Sequence, residues 1–335
     1  MLRKVWRILV VVLVMAAGGL APAEAVELPL FPPATGAWLM EGTRTNPPRY
    51  YGPTAPSAEW HIAQFQNPGP NLSPFRSIEL PTGAIEYIAD ARDAAVTLQP
   101  TNQRLIVTLS QNGSNLPCTR RDSLAGAREF DLFFGMNGRG TGNGIPIPRP
   151  AHLAAGGSLS HMRALHHIVR MKILAAKQPR TQNDCEVNAA GLLSSLVFKN
   201  DIAKPHQVLF YRIDLARLCF SGPRRAACER NRTRGLFYRR GRKILDRDGT
   251  VVGRSFGYRD TLASYNLQMA SPQVPLSVDI DVLPRLKEFI SHGEYGMDPD
   301  WRHWRIVSAY FGQNIWGNAA VTSQWSDFRY LVDMQ

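Results

Sequence analysis

The sequence is poor in the features that mark most enzyme classes. It has four cysteines in 335 residues. None forms a Cys-x-x-Cys pair or stands beside a histidine at tetrahedral spacing, which leaves structural zinc without a ligand set. No Gly-x-Ser-x-Gly elbow occurs. The glycine run at 138–144 lacks the Lys and the strand-to-helix context of a phosphate loop. Acidic residues are scarce, 27 against 39 Lys and Arg, a formal charge of +12. Past the first 20 residues no apolar run is long enough for a span of roughly 20 residues. No internal repeat is present, which excludes solenoids. With 44% hydrophobic and 20% charged residues the chain can bury a core and is not disordered by composition. Its 27 glycines and 24 prolines fit a turn-rich fold and argue against a helical bundle.

The chain opens with an export signal. Arg3, Lys4 and Arg7 precede an uncharged, mostly apolar run of 13 residues, Ile8 to Leu20, and then the small-x-small site Ala23-Glu24-Ala25. Cleavage after Ala25 gives residues 1–25 as a signal peptide, a mature charge of +10 and no transmembrane anchor. A periplasmic or extracellular location makes the even cysteine count read as two disulfides. Three pairings of Cys118, Cys185, Cys219 and Cys228 can be drawn. Cys219 and Cys228 flank the turn Ser221-Gly222-Pro223, and local pairing there leaves Cys118 with Cys185.

Strand signals dominate the rest. The clearest alternation is Leu209, Tyr211, Ile213 and Leu215 against Phe210, Arg212 and Asp214, a strand with one face on a core. Strands are expected at Ala37–Glu41, Glu59–Phe65, Ala84–Ala89, Arg104–Ser110, Glu129–Phe134, Ile168–Ala175, Leu192–Lys199, Gln207–Leu218, Ser264–Met269, Leu276–Ile280, Trp304–Phe311 and Val321–Val332. Leu159–Leu165 reads as a helical turn entering a strand. Leu283–Ser291 is the best helix, with Asp281 to cap it and Pro284 in its first turn. The fold class is all-β: an antiparallel β-sandwich or jelly roll of about twelve strands with one short helix. Residues 26–56 form a Pro-rich segment packed on the body, and 57–335 a single domain.

Four of the six tryptophans after residue 25 lie between Trp301 and Trp325. On strict alternation Val307, Ala309 and Phe311 face a core, while Trp304, Ser308 and Tyr310 face outward. Aromatic rings among short polar groups suit a sugar, whose C–H face stacks and whose hydroxyls hydrogen-bond. Trp304, Gln313, Asn314 and Trp316 are therefore expected to bind glycan. The stretch from Trp304 through Tyr310-Phe311-Gly312-Gln313-Asn314-Ile315-Trp316-Gly317 to Trp325 and Phe328 resembles the last hairpin of concanavalin A-like lectins and glucanases. Family twelve glycoside hydrolases end similarly, with a Gly-Glu pair in place of Gly312-Gln313. The resemblance implies that Gln313 stands where that family keeps its catalytic acid/base, a role an amide cannot perform. Trp60-His61-Ile62-Ala63-Gln64-Phe65 resembles a strand of jelly-roll polysaccharide lyases, in which Gln and His line the groove. Tyr310-Phe311-Gly312 is a shortened form of their closing Tyr-Phe-x-x-Gly.

The resemblance implies a partner polysaccharide. Glycoside hydrolysis needs two facing carboxylates, for which Glu59 and Glu86 are the better pair, though no spacing singles them out. A lyase on an acidic polymer needs a cation against the uronate and a Tyr or His to move protons. His61 and Tyr310, with Gln64 and a facing Arg, are the candidates. Residues 217–247 carry ten Arg and one Lys against Glu229 and Asp246. Arg239, Arg240 and Arg242 are expected to meet an acidic glycan or an anionic envelope surface, or else to be a solvated loop. No nucleic-acid motif accompanies them. No cofactor is implied. Asp279-x-Asp281 and Asp298-x-Asp300 could each offer oxygens to calcium; Asp246-x-Asp248-Gly249 resembles only the start of a calcium loop and is better explained by a tight turn.

Overall fold

The computed structural model describes residues 27–29, 39–42, 50–51, 60–65, 76–88, 94–101, 105–114, 129–136, 157–179, 185–200, 202–246 and 248–334. The expected export signal, Cys118 and Glu59 lie outside the described residues. Two sheets pack as a sandwich. The first runs in the order β15 (Leu276–Asp281), β10 (Met162–Lys177), β17 (Ala320–Met334), β8 (Leu105–Asn112), β7 (Ala94–Pro100), β6 (Ile85–Ile88) and β5 (Arg76–Glu79), with β1 (Glu27–Pro29) paired to β17. The second runs β13 (Leu236–Leu245), β14 (Val251–Thr261), β12 (His206–Cys219), β11 (Ala189–Asn200), β16 (Trp304–Trp316), β9 (Glu129–Met136), β4 (Trp60–Phe65), β2 (Leu39–Gly42) and β3 (Tyr50–Tyr51). Twelve of these strands are six residues or longer. Pairing is antiparallel except between β12 and β14 and between β2 and β4.

Period-two alternation builds the core. On β10, Leu165, His167, Val169, Met171 and Ile173 turn inward. On β12, Leu209, Tyr211, Ile213 and Leu215 do the same, as the sequence predicts. The helix Leu283–Ser291 has the predicted bounds and buries Leu283, Leu286 and Ile290 against the core. An Asp281 carboxylate oxygen accepts the Leu283 N–H at 3.0 Å, satisfying a donor of its first turn. Leu159–His161 is a 3-10 turn leading into β10.

The predicted strand Ser264–Met269 does not form. Leu262–Tyr265 is a 3-10 turn, ended by Asn266 in the left-handed region at φ 58°. Conversely, β13 and β14 form from a sequence too rich in arginine to show an apolar alternation.

Two bulges decide which side chains share a face. The β11–β16 register slips between Val197/Ser308 and Phe198/Ile306, leaving Val307 as the extra residue. Trp304 and Ile306 therefore face the core before the slip, and Ala309 and Phe311 face it afterwards. The β11–β12 register slips between Leu192/Ala216 and Leu193/Asp214, with Leu215 extra. Leu215 and Ala216 are both in the core as a result, and Asp214 and Arg217 share the outward face although they are three apart.

Candidate functional site

The outward face of the second sheet, the one turned away from the first sheet, collects the polar side chains. Strand register lays them in rows. His61 pairs with Gly135, Gly135 with Tyr310, Tyr310 with Ser195, Ser195 with Arg212, and Arg212 with Arg259. His61 and Tyr310, the two predicted proton-transfer residues, thus share a row two strands apart, roughly 9–10 Å at ordinary strand spacing. Gly135 lies between them. A Cβ there would come within 2.7 Å of Tyr310 Cβ, so only glycine fits at that close strand approach.

Tyr310 is half-buried, with Phe133 beside it at 4.9 Å between ring centroids. Burial raises its phenol above the ordinary value, and a hydrogen bond to Ser195 and the charges of Arg212 and Arg239 offset part of that rise. The phenol is neutral at physiological pH. Ser195 Oγ donates to the Tyr211 carbonyl at 3.0 Å. Arg239, half-buried on β13, lays its guanidinium 5.1 Å from the centre of the Phe210 ring.

Beneath these lies a buried ionic cluster. Arg212 Nε and Arg217 Nη2 donate to the two Asp214 oxygens at 2.8 and 2.7 Å, and Arg259 Nε is 3.6 Å away. Asp214 has no exposed surface, and the three arginines are 8, 2 and 5% exposed. Burial alone would raise the Asp214 carboxyl, but the guanidiniums outweigh it and hold the value at about 2. Arg217 also stacks over Trp316 at 4.7 Å. The six-residue helix Arg225–Arg230 covers this end of the face. It is anchored by the Cys219–Cys228 disulfide, with Cα atoms 5.9 Å apart, and by Cys228 packing with Val187, Ala189 and Trp316. Cys185 is also disulfide-bonded.

Several expected glycan-binding residues are elsewhere. Trp304 is fully buried, its indole N–H donating to the Asp298 carbonyl at 3.1 Å, because the Val307 bulge reverses the alternation. Gln313 is fully buried on the core face. Its Nε2 donates to the Val321 carbonyl at 3.2 Å, and its Oε1 accepts from Ser323 Oγ at 2.7 Å. The position implied to match a groove-facing catalytic Glu therefore faces inward. Asn314 and Trp316 lie on the outward face but are 0 and 3% exposed, within the packing around Gly191 and the disulfide helix. Gln64 pairs with Leu132, which pairs with Gln313, so its row is that of the core face and not that of His61.

Glu86 stands on β6 of the first sheet, away from this face. The calcium candidates are engaged otherwise. One Asp281 oxygen takes the Leu165 and Leu283 N–H groups. Asp298 binds Asn200 and His303, and Asp300 binds Arg302. Of the basic trio, Arg239 joins the face, Arg240 lies 4.9 Å over the exposed Tyr295 ring, and Arg242 is exposed.

Sequence reasoning missed Ser195, Arg212, Asp214, Arg217 and Arg259. A signal existed: Arg212 and Asp214 interrupt the solvent side of a strand whose length suits the middle of a sheet. The Leu215 bulge that brings Arg217 to them leaves no mark in the sequence.

No protein-family profile and no curated protein matches the chain. Among solved structures it is similar to the family 11 xylanase from Neocallimastix patriciarum, at 9% identity and a TM-score of 0.41, over 81% of this chain and 99% of that one. It is also similar to a family 12 xyloglucanase from Bacillus licheniformis, at 10% identity and a TM-score of 0.38, over 78% and 98% of the two chains. At these scores the likeness assigns neither a residue nor an activity.

Proposed function

We propose that the outward face of the second sheet binds an exported or cell-surface polysaccharide, with carboxylate-bearing chains favoured. The observation that carries the reading is the row His61, Tyr310, Ser195, Arg212, flanked by Arg239. A half-buried phenol beside two guanidiniums offers what an acidic sugar needs. Tyr310 and Phe210 supply apolar ring surface, the phenol oxygen accepts from a sugar hydroxyl, and Arg239 meets a carboxylate. Arg212, clamped by Asp214, adds positive potential from below.

A second reading, β-elimination of a uronic-acid polymer, is favoured by the shared row of His61 and Tyr310. His61 would take the C5 proton while guanidinium charge stabilises the developing carboxylate-stabilised anion. The C5–H electron pair would form the C4–C5 double bond, the C4–O bond would break, and Tyr310 would protonate the departing oxygen. A phenol held neutral suits that acid role.

A panel of neutral and acidic polysaccharides tests both readings, with binding read by calorimetry and elimination by absorbance of unsaturated uronates. We expect binding to acidic chains, weakened at least fivefold in Tyr310→Phe and Arg239→Ser at unchanged melting temperature. Absorbance lost in Tyr310→Phe and His61→Ala would support elimination. No binding to any acidic chain would refute the proposal and leave a structural envelope role.

A further inference from the structure

A second charged surface lies away from Tyr310. The segment from the disulfide helix through β13 carries, besides Arg225, five exposed basic residues: Arg230, Arg234, Arg240, Arg242 and Lys243. None of them has an acidic side-chain partner among the described residues. Their neighbours differ: Arg224 pairs with Glu186, and Arg225 with Glu229. β13 is the terminal strand of the second sheet, so these charges follow one edge of the molecule. Two bulges shorten β13, so from Arg234 to Lys243 that edge spans less than the ~30 Å of an unbroken strand. The backbone is held in place at both ends: by the Cys219–Cys228 bridge and the 2.7 Å bond from Arg259 to the Asn231 carbonyl, and by the β13–β14 turn, where Asp246 accepts the Asp248 and Thr250 N–H groups.

We infer that this edge is a docking track for a linear polyanion, an acidic polysaccharide chain that lies along β13. The strand is bulged between Phe237 and Arg239 and between Arg239 and Arg242, so its like charges follow a bent edge; a polymer chain can follow the bends, and a planar anionic surface would meet only part of it. The inference rests on the reading that the partner is a polysaccharide, but it uses residues other than those around Tyr310. The competing role for charge on a terminal strand is to repel edge-to-edge pairing of copies. That role predicts self-association when the charge is removed, and no change in polymer binding.

Heparin and sodium alginate are the probes, with the full-length exported protein. The variant Arg230→Ser/Arg234→Ser/Arg242→Ser/Lys243→Ser is compared with Arg170→Ser/Lys172→Ser/Lys177→Ser/Lys204→Ser, which removes equal charge from exposed positions elsewhere. The track variant should bind both polymers at least tenfold more weakly at low salt, and its log–log salt slope should fall by roughly two to three, because fewer counterions are released. The control should change less than threefold. The double variant Arg230→Ser/Arg234→Ser, which leaves β13 intact, should show about half the loss of slope. Equal losses in the two fourfold variants would reduce the effect to net charge and overturn the inference, as would unchanged binding with self-association seen by light scattering. If Tyr310→Phe and Arg239→Ser abolish binding while the track variant binds normally, the Tyr310 face stands and the track falls. If the track variant alone loses binding, the track stands without the Tyr310 face.

Discussion

Asp214 is a carboxylate with one task. Enclosed, and held near pH 2 by Arg212, Arg217 and Arg259, it is neither a nucleophile within reach of a sugar nor an acid with a proton to give. Its work is to keep three guanidiniums together against their mutual repulsion. Asp214→Asn should therefore destabilise the fold by about 3–5 kcal/mol at pH 7, since it leaves buried cations without their counter-charge. Urea denaturation measures it. The sign with pH follows from the lowered value. The contribution is complete above the unfolded carboxyl value of about 4 and disappears as pH falls through about 2, so the two proteins should converge there. A constant gap down to pH 2 would assign the loss to packing. Trp316 separates binding from packing in the same way. At 3% exposure under Arg217 it is a packing residue, so Trp316→Ala should cost about 3–5 kcal/mol. A small stability loss with weakened glycan binding would reverse that assignment.

At the level of elements, the sequence revealed what alternation controls. β12, β16 and the helix Leu283–Ser291 were legible because apolar residues recur there at a fixed period. Trp304 was assigned to the wrong face because Val307 adds one residue, and one residue inverts every later side chain. The Arg-rich strand β13 was illegible for another reason. A terminal strand packs little, so its residues carry no apolar pattern. The outward placement of Tyr310 was legible from alternation, and the Cys219–Cys228 bridge from a turn between two cysteines. That bridge matters because a helix of six residues does not hold itself. Cys219→Ser/Cys228→Ser should lower stability by roughly 2–3 kcal/mol. Amide exchange should quicken across residues 220–235 while the interiors of β11 and β12 stay protected. Uniform quickening of both regions would mean that the helix is part of the main cooperative unit.

Across the whole molecule the second sheet presents the cationic face and edge, and both sheets close on a core that, among the described residues, contains one histidine. His167 is fully buried on β10, paired in register with Ile280 of β15 and Tyr330 of β17. Its ring stacks on Tyr330 at 4.7 Å and meets Phe328 edge-on at 6.1 Å. Both ring nitrogens lack a hydrogen-bond partner among the described residues. Burial lowers its value to about 3, so the folded protein keeps it neutral where the unfolded chain would take a proton. The native state thus forgoes a proton between the unfolded value of about 6.5 and the folded value of about 3. Stability present above the first is lost steadily on the way to the second, at up to ~1.4 kcal/mol per pH unit. His167→Phe keeps a ring against Tyr330 and removes the titration. Its stability should match or exceed that of the native protein at pH 7 and fall more gently between pH 6 and 4, a window above the Asp214 transition. Self-repulsion of a basic chain in acid acts on both proteins alike, so the difference between their denaturation curves isolates the histidine. Parallel curves across that window would show that His167 takes up its proton at an ordinary pH, and that the core opens to water around it.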